Sequence, residues 1–433
     1  MTSSDQQSVP STVAVKMAVN RGDGLFSLGS FQRGDTVFSE YPLVISSQAV
    51  DPLEQTQLKN LSDELGFDFS DEFLFVKSFC AALPATQEAV LSLFAPDDSS
   101  VESSSVLKSM CRLVEICKKF DWAKPFQNEN IKKVILVKVC NAHGFNYNTG
   151  SSAALYFYGS KMNHSCKPNI VYTSQRLADG RGSFIAKENV QPGDELFISY
   201  IDTFLSTPMR QKKLMEGYAF KCSCDLCTVE IDRFRGLHCP ACPKGTIFRN
   251  NATASWQCDE CHQAFADSTK GISNEEESGL IADSESFLHS FESRISQRLE
   301  DHILMLRNRL GSAHAATKLA EKTFIECVLL DRKHSCDELI SLTDEILEWT
   351  NDDPSFLDSL LIQIGCHIAR SGDEFEKATK YLKIVEQDLL FLTGGKPDLE
   401  QLEIVQRAIS ACERKDADSV PNLVSPNEAC VIQ

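Results

Sequence analysis

The spacing of apolar residues changes character twice in the first half of the chain. Residues 13–46 alternate apolar and polar positions between glycine-containing turns, which predicts short β-strands. Over residues 52–140 the apolar positions recur at helical spacing, and the serine- and aspartate-rich residues 95–105 predict a mobile loop between helices. One predicted helical face carries Leu107, Met110, Leu113, Val114 and Cys117. Strand-like sequence returns over residues 153–200, so we expect a helical segment to interrupt a β-rich region.

A second helical region is predicted in the C-terminal part of the chain. Residues 268–282 are polar and include Glu275-Glu276-Glu277, which is typical of a linker. The segment Gly372–Ala378, followed by Tyr381-Leu382, is similar to one helical hairpin of the tetratricopeptide repeat. Only one such unit is clear, and an irregular helical bundle is the alternative. Amphipathic helices are predicted at Phe287–Leu310, His314–Leu330, Asp337–Trp349, Phe356–Ala369 and Phe375–Leu392.

Length and composition predict a soluble protein with more than one core. At 433 residues the chain is too long for a single core, which favours two or three domains. Apolar residues make up 42% and charged residues 24%, and the chain lacks the run of about 18 apolar residues that a membrane span requires. Residues 1–12 are rich in serine, glutamine and threonine without an apolar core, so we expect a disordered tail rather than a secretory signal.

Net charge and cysteine content indicate which classes of binding partner and which cellular compartment to expect. The formal net charge of −18 argues against direct nucleic-acid binding and favours basic partners such as lysine-rich peptides. An acidic excess is also common in proteins that are simply soluble. The 17 cysteines, in the absence of a secretory signal, are expected to stay reduced, which favours the cytoplasm, the nucleus or both.

Two groups of cysteines stand at metal-ligand spacings. The segment Cys222–Cys227 has the pattern Cys-x-Cys-x-x-Cys and offers three thiolates, whereas tetrahedral zinc requires a fourth ligand. Farther along, two Cys-x-x-Cys pairs separated by 15 residues have the spacing of a zinc ribbon, and the adjacent His262 is expected to be a surface residue. Four thiolates complete the second site, so structural zinc is predicted there, whereas the first site needs one further ligand from elsewhere in the chain. The ligands that these patterns predict are Cys222, Cys224, Cys227, Cys239, Cys242, Cys258 and Cys261.

Three segments of the central region have an order that is typical of one family. They are Asn163-His164-Ser165-Cys166-Lys167-Pro168-Asn169-Ile170, Gly193-Asp194-Glu195-Leu196-Phe197-Ile198-Ser199-Tyr200 and Cys222-Ser223-Cys224-Asp225-Leu226-Cys227. Each is weakly diagnostic by itself, but in this order and within about 65 residues they closely resemble a SET domain. Members of that family are protein-lysine methyltransferases that use S-adenosylmethionine. The resemblance therefore implies that cofactor and that reaction.

The resemblance extends to the branch of the family that combines SET and MYND domains. The motifs that match this branch are Ser199-Tyr200-Ile201-Asp202, Arg210 and Tyr218-Ala219-Phe220-Lys221-Cys222. One departure is plain, because the region between Pro42 and Asn163 contains no Cys-x-x-Cys pair. Its cysteines before Cys140 are Cys80, Cys111 and Cys117. The MYND zinc finger is therefore predicted to be absent, and recruitment of proline-rich peptides through that finger is not implied.

The resemblance also implies roles for individual residues. Tyr200 corresponds to the catalytic tyrosine of the family, whose hydroxyl orients the methyl group and the amine. A tyrosine pKa near 10 argues against its acting as a strong base at neutral pH. Cys166 is implied as the fourth ligand of the first zinc ion, and Tyr218 as part of the substrate channel. The implied cofactor-binding residues are Arg21, Gly22, Asp23, Asn141, Asn163, His164, Tyr200 and Phe220.

The fold that follows from pattern and resemblance is an α+β multidomain architecture. It combines a mostly β SET core, a helical insert, a zinc-bound post-SET segment, a zinc ribbon and an α-helical, tetratricopeptide-like C-terminal domain. The predicted boundaries are 1–12 for the disordered tail, 13–50 for the N-terminal part of SET, 51–138 for the helical insert, 139–205 for the core SET, 206–232 for the post-SET zinc segment, 233–267 for the zinc ribbon, 268–282 for the linker, 283–412 for the helical C-terminal domain and 413–433 for a tail.

The function that the resemblance implies is methylation of lysine side chains in histone or non-histone proteins, by a monomer with S-adenosylmethionine and two structural zinc ions. The alternative is a SET scaffold with little or no activity that binds basic peptides, although the intact Tyr200, Asn163 and His164 argue against it. The terminal residues Cys430-Val431-Ile432-Gln433 match a prenylation motif of the farnesyl class, with Cys430 as the modified residue. One lipid would give weak, reversible membrane association, and an unmodified tail is the alternative.

Overall fold

The computed structural model of the protein describes residues 10–19, 21–46, 51–66, 68–146, 151–177, 180–289, 296–331, 335–357, 359–394 and 400–423. The chain divides into two compact units. The first unit contains Met1–Ile201, Gln211–Cys222 and Leu392–Gly394, and the second contains Asp202–Arg210, Ser223–Phe391 and Gly395–Gln433. Residues 1–9 of the predicted N-terminal tail and the predicted prenylation site at Cys430 lie outside the described residues.

Short strands form the β-rich part of the first unit. They are β1 (Val13–Ala18), β2 (Gly22–Ser27), β3 (Thr36–Glu40), β4 (Val44–Ile45), β5 (Ala142–Asn146), β6 (Ser151–Leu155), β7 (Asn163–His164), β8 (Ile170–Thr173), β9 (Gly182–Ala186) and β10 (Phe197–Ile198). Antiparallel pairing makes a β1–β2 hairpin, a sheet of order β3-β9-β8 and a sheet of order β4-β6-β5, whereas β7 and β10 pair in parallel. Every residue of β9 is buried, and its Phe184 ring stacks on Phe38 of β3 with centroids 4.4 Å apart.

Helices occupy the chain between β4 and β5, as the apolar spacing predicts. They are α1 (Pro52–Leu65), α2 (Ser70–Ala81), α3 (Pro84–Leu91), α4 (Asp98–Ser103), α5 (Ser105–Cys111), α6 (Leu113–Cys117) and α7 (Asn128–Asn141). The buried faces of α2 and α7 share one apolar core, in which Phe73, Phe79, Ile131 and Val134 are fully inaccessible to solvent. Helix α7 runs directly into β5, so the insert ends beside the β-rich part of the unit.

The predicted mobile loop at residues 95–105 is wrong, because this segment contains α4 and the start of α5. The Asp97 carboxylate accepts a hydrogen bond from a backbone nitrogen in the first turn of α4 at 2.8 Å. The Ser104 hydroxyl accepts one from the backbone nitrogen of Leu107 at 3.1 Å. Aspartate and serine are favoured helix N-caps. The residues that suggested a loop therefore start two helices, and Leu107 packs against Leu136.

The second unit combines a small antiparallel sheet with a series of helices. Helix α8 (Thr207–Tyr218) ends within the part of the chain assigned to the first unit, and α9 (Asp225–Thr228) follows in the second. The sheet has the order β11 (Ile231–His238), β12 (Thr246–Asn250), β13 (Ser255–Cys258) and β14 (Ala264–Phe265). The helices are α10 (Asn274–His289), α11 (Ser296–Arg309), α12 (Ala315–Asp331), α13 (Cys336–Thr350), α14 (Ser359–Ser371), α15 (Phe375–Thr393) and α16 (Glu400–Glu413). The sheet and the helices share one apolar core, which includes Trp256 and Leu306. The prediction of a helical C-terminal region is therefore confirmed.

The predicted linker at residues 268–282 differs from the structure, since α10 begins within it and two of its charged residues, Lys270 and Glu277, are buried. Lys270 and Glu277 form an ion pair at 2.8 Å, with side chains 0% and 2% exposed. Arg235 donates two further hydrogen bonds to the Glu277 carboxylate at 2.6 and 2.8 Å. Both cations lie over the Trp256 ring. Lys270 and Glu277 therefore belong to a buried charge cluster rather than to a solvated connection.

The end of the described chain differs from the predicted tail at residues 413–433. A short 3₁₀ turn covers Ala417–Ser419, and Val420 is only 2% exposed. The Val420 carbonyl accepts a hydrogen bond from Arg370 at 3.2 Å, so residues 417–420 pack on α14. The tetratricopeptide-like character of α14 and α15 stays a prediction. None of the helices in the described ranges has both the length and the apolar character needed to cross a membrane.

Candidate functional site

The parallel pairing of β7 and β10 brings two of the predicted motifs together in the first unit. Asn163 lies opposite Phe197, and His164 lies opposite Ile198. Just beyond the pairing, Nδ1 of His164 accepts a hydrogen bond from the backbone nitrogen of Tyr200 at 3.0 Å. In a neutral imidazole the proton then lies on Nε2. His164 therefore holds the backbone of Tyr200 in place.

The Tyr200 side chain is set for hydrogen bonding rather than for proton abstraction. Its hydroxyl donates to the carbonyl oxygen of Met162 at 2.6 Å. Burial raises the pKa of Tyr200 above its ordinary value, and the neighbouring Tyr218 raises this pKa further. The phenol is consequently neutral at physiological pH. It can orient a reacting group but cannot act as a strong base.

Aromatic rings surround Tyr200 on two sides. The Tyr218 ring centroid lies 4.9 Å from that of Tyr200, and the Tyr218 hydroxyl donates to the Tyr200 carbonyl at 3.0 Å. The Phe220 ring is perpendicular to Tyr200 at 6.4 Å and lies 5.9 Å from the His164 ring. Between the two aromatics, Ala219 has a φ of 58°, which turns the chain sharply after α8. This turn allows both rings to face Tyr200.

Burial also raises the pKa of ionisable groups next to Tyr200. It raises the pKa of Tyr218 to about 12 and that of Cys140 to about 12, so both are neutral at physiological pH. The Cys140 thiol contacts the carbonyl of Gly217 at 3.9 Å. Asn141, the last residue of α7, donates its amide hydrogens to the carbonyls of Phe94 and Val137 at 3.0 and 2.8 Å. Any contact of Asn141 with a cofactor must therefore use its oxygen or its backbone.

The glycine-containing start of β2 lies against the Asn163 side chain. Nδ2 of Asn163 donates to the Asp23 carbonyl at 3.1 Å, and Nζ of Lys161 pairs with the Asp23 carboxylate at 3.0 Å. A Cβ atom on Gly24 would lie 3.1 Å from Nδ2 of Asn163 and 2.9 Å from Oε1 of Glu195. Position 24 therefore has no room for a side chain. The close fit is the feature that a cofactor-binding turn requires.

Sequence reasoning missed Glu195 and Lys161, two charged residues that contact these predicted cofactor-binding residues. Glu195 accepts hydrogen bonds from both Arg21 and Asn163, at 2.9 and 2.8 Å. The sequence could have indicated Glu195, because it belongs to the motif Gly193–Tyr200, in which its carboxylate directly precedes the buried Leu196. Lys161 stands two residues before Asn163 and had no comparable signal.

The first cysteine cluster unites the residues that the resemblance implied. The sulfur atoms of Cys166, Cys222, Cys224 and Cys227 lie within 4.8 Å of one another. The Cys166 and Cys222 sulfurs are 4.0 Å apart, near the separation of about 3.8 Å that Zn–S bonds of about 2.3 Å give in a tetrahedron. Nε2 of His164 lies 3.3 Å from the Cys166 sulfur. Four thiolates suit a closed, structural zinc site.

The second cluster lies at the end of the β11–β14 sheet. The Cys239–Cys261 and Cys242–Cys258 sulfur pairs are separated by 3.8 and 3.7 Å. A Cβ on Gly245 would collide with the Cys258 sulfur and lie 2.8 Å from that of Cys242, so the chain closes tightly around the thiols. The adjacent His262 is exposed, as expected. The donor set again fits structural zinc.

Comparison with known proteins identifies the domain that carries Tyr200. Residues 22–201 match the model of the SET domain family. Histone-lysine N-methyltransferase set5 of Schizosaccharomyces pombe is 35% identical over 87 residues, covering 20% of this chain and 27% of that protein. N-lysine methyltransferase SMYD2 of Homo sapiens is 34% identical over 107 residues, covering 24% of each. The matches thus span less than a third of these curated relatives.

Among solved structures, the SET domain of LSMT bound to lysine and AdoHcy is similar at 12% identity, with a TM-score of 0.32. The comparison covers 98% of this chain and 91% of that chain. Residues 22–201 of the protein are a SET domain.

Proposed function

We propose that the protein transfers methyl groups from S-adenosylmethionine to lysine side chains of proteins. The observation that carries the proposal is the position of Tyr200 inside a matched SET domain, with its hydroxyl neutral and His164, Tyr218 and Phe220 around it. The relatives that match part of the chain are named as lysine methyltransferases, which supports the same reaction.

The residues around Tyr200 position and orient the lysine amine and shield the reaction from water. When bound, S-adenosylmethionine supplies the electrophilic methyl group, so the protein's task is alignment and exclusion of water. The rings of Tyr218 and Phe220 provide an apolar wall for the aliphatic stem of a lysine, and aromatic faces also favour a nearby cation. The Tyr200 hydroxyl and the Met162 carbonyl, 2.6 Å apart, form a polar pair that orients the amine.

The glycine turn and the Asn163–His164 strand are the residues that would hold the cofactor. Arg21, Gly22 and Asp23 precede the crowded Gly24, and Asn163 is hydrogen-bonded to that turn. The additional cofactor-binding residues that we propose are His164, Asn141, Tyr200 and Phe220. Two zinc ions, one in each cysteine cluster, would serve as structural ions. Since these thiolates must remain reduced, we also propose a cytoplasmic or nuclear location.

We further propose that the protein belongs to the SET-and-MYND branch but lacks the MYND finger. Its support is the match of Ser199–Asp202 and Tyr218–Cys222 to that branch, together with helices α1–α7 in place of a cysteine-rich finger. The α14–α15 pair is proposed as a tetratricopeptide-like hairpin. Basic, lysine-containing proteins are the proposed substrates, because the chain carries a net charge of −18.

A transfer assay with isotope-labelled S-adenosylmethionine and an array of lysine peptides tests the proposal. We expect label in a subset of lysine peptides and none in matched peptides with arginine at the same position. Two results together would support the scaffold alternative and contradict the proposal. They are that peptides bind to the protein without acquiring label, and that the protein does not bind S-adenosylhomocysteine.

Substitution of Gly24 by alanine should weaken cofactor binding. The added methyl group would lie 2.9 Å from Oε1 of Glu195 and 3.1 Å from Nδ2 of Asn163, and such overpacking costs about 1–3 kcal/mol. Titration with S-adenosylhomocysteine in a calorimeter measures the loss. Gly144→Ala is the matched control, since a Cβ there has no neighbour within 4 Å. Equal affinities of the two variants would contradict the role given to the turn.

A further inference from the structure

The backbone around Glu195 is hydrogen-bonded to two other segments of the SET domain, β2 and the chain at Asn169. Glu195 forms an antiparallel bridge with Phe26 of β2, and the next residue donates its backbone N–H to the carbonyl of Leu25 at 2.7 Å. The carbonyl of Glu195 accepts a hydrogen bond from Nδ2 of Asn169 at 2.9 Å. This carboxylate therefore projects from a well-anchored point of the chain.

The two carboxylate oxygens of Glu195 serve two different donors. Oε1 accepts from Nδ2 of Asn163 at 2.8 Å, and Oε2 accepts from Nη2 of Arg21 at 2.9 Å. The Glu195 side chain is 10% exposed, whereas that of Arg21 is 43% exposed. The Arg21 guanidinium also lies over the Phe197 ring, 5.1 Å from its centroid. An exposed arginine is thereby held in one orientation by a shielded partner.

Both donors belong to the proposed cofactor site, but Glu195 itself does not. Asn163 reaches the site from β7, and Arg21 reaches it from the turn before β2. Without Glu195 the arginine would regain its rotamer freedom, and cofactor binding would have to restore its order at a cost in affinity. Fixing these groups in advance removes that cost.

We propose that Glu195 is a positioning residue, whose carboxylate fixes Arg21 and Asn163 relative to each other and so increases affinity for the cofactor. The inference rests on the proposed function, because it assumes that S-adenosylmethionine binds beside these two residues. Glu195 acts through its partners and does not touch the reacting atoms. Its loss should therefore affect cofactor affinity more than it affects lysine binding.

The test compares Glu195→Gln with the wild-type protein. A glutamine keeps the size of the side chain and one oxygen acceptor for Asn163, but it places a donor against the Arg21 guanidinium. We expect S-adenosylhomocysteine to bind about tenfold more weakly by calorimetry, because hydrogen bonds to charged groups are worth about that factor or more. The KM for a lysine peptide and the melting temperature should stay near the wild-type values. Glu188→Gln, which removes an exposed carboxylate seven residues earlier, is the control for net charge.

A double-mutant cycle with Arg21→Ala separates positioning from a general effect. If Glu195 acts through Arg21, the Glu195→Gln change should weaken binding by less than about threefold in the Arg21→Ala background. Additive effects would overturn the inference. So would unchanged affinity, or an equal loss of cofactor affinity, peptide affinity and stability. Failure of the wild-type protein to bind S-adenosylhomocysteine would instead overturn the proposed function, so the two failures are distinguishable.

Discussion

Replacement of Tyr200 by phenylalanine is expected to lower the rate of methyl transfer by about a hundredfold or more, which corresponds to about 2.7 kcal/mol of transition-state free energy. The hydroxyl that donates to the Met162 carbonyl at 2.6 Å is the group that we propose orients the amine, and its loss removes that alignment. Single-turnover assays with labelled cofactor measure the rate. Affinity for S-adenosylhomocysteine should change little, because the ring that packs against His164 and Tyr218 remains.

Tyr172→Phe is the matched control for this change. The Tyr172 hydroxyl also makes a hydrogen bond, to the Tyr156 hydroxyl at 2.9 Å, but it lies in the β3-β9-β8 sheet. Its removal should cost about 1 kcal/mol of stability and leave the transfer rate near wild type. The assigned role of Tyr200 would be wrong if the Tyr200→Phe variant kept the wild-type rate of methyl transfer. It would also be wrong if the Tyr172→Phe variant lost as much of that rate as the Tyr200→Phe variant.

Removal of either zinc ion is expected to have the second large effect, and the two sites should respond differently. Structural zinc contributes on the order of 10 kcal/mol of apparent folding free energy in small domains. Cys222→Ser should lose one ion and all measurable transfer, since the cluster includes Cys166, and His164 contacts the Cys166 sulfur at 3.3 Å. Elemental analysis of the purified variants, together with transfer assays, measures both effects.

Cys258→Ser should also lose one ion, but its main effect should be on stability. Cys258 is 1% exposed and belongs to the apolar core of the second unit, together with Trp256. We expect a lower melting temperature and retained binding of S-adenosylhomocysteine, because the proposed cofactor residues lie in the first unit. Cys336→Ser, outside both clusters, should keep two ions. Fewer than two zinc ions in the wild-type protein would refute this arrangement.

Features that depend on neighbouring residues were predictable from the sequence. The thiols of each Cys-x-x-Cys pair lie close together because only two residues separate the cysteines, and the second cysteine cluster followed from this spacing. Helices α12 to α15 followed from the periodicity of their apolar residues. The resemblance of three motifs identified the SET domain and pointed to Tyr200.

Only the tertiary structure decided the role of charged and capping residues. Arg21 and Glu195 are 174 residues apart in sequence and 2.9 Å apart in space, and Lys270 and Glu277 come from a segment that composition predicted to be a solvated linker. Apolar periodicity reports which faces are buried, whereas the energy of an ion pair depends on a through-space distance and on local exclusion of water. The sequence by itself therefore determined the second cysteine cluster, the C-terminal helices and the resemblance to a SET domain. The fold decided which carboxylates hold the proposed site together, because their partners meet only when distant strands pair.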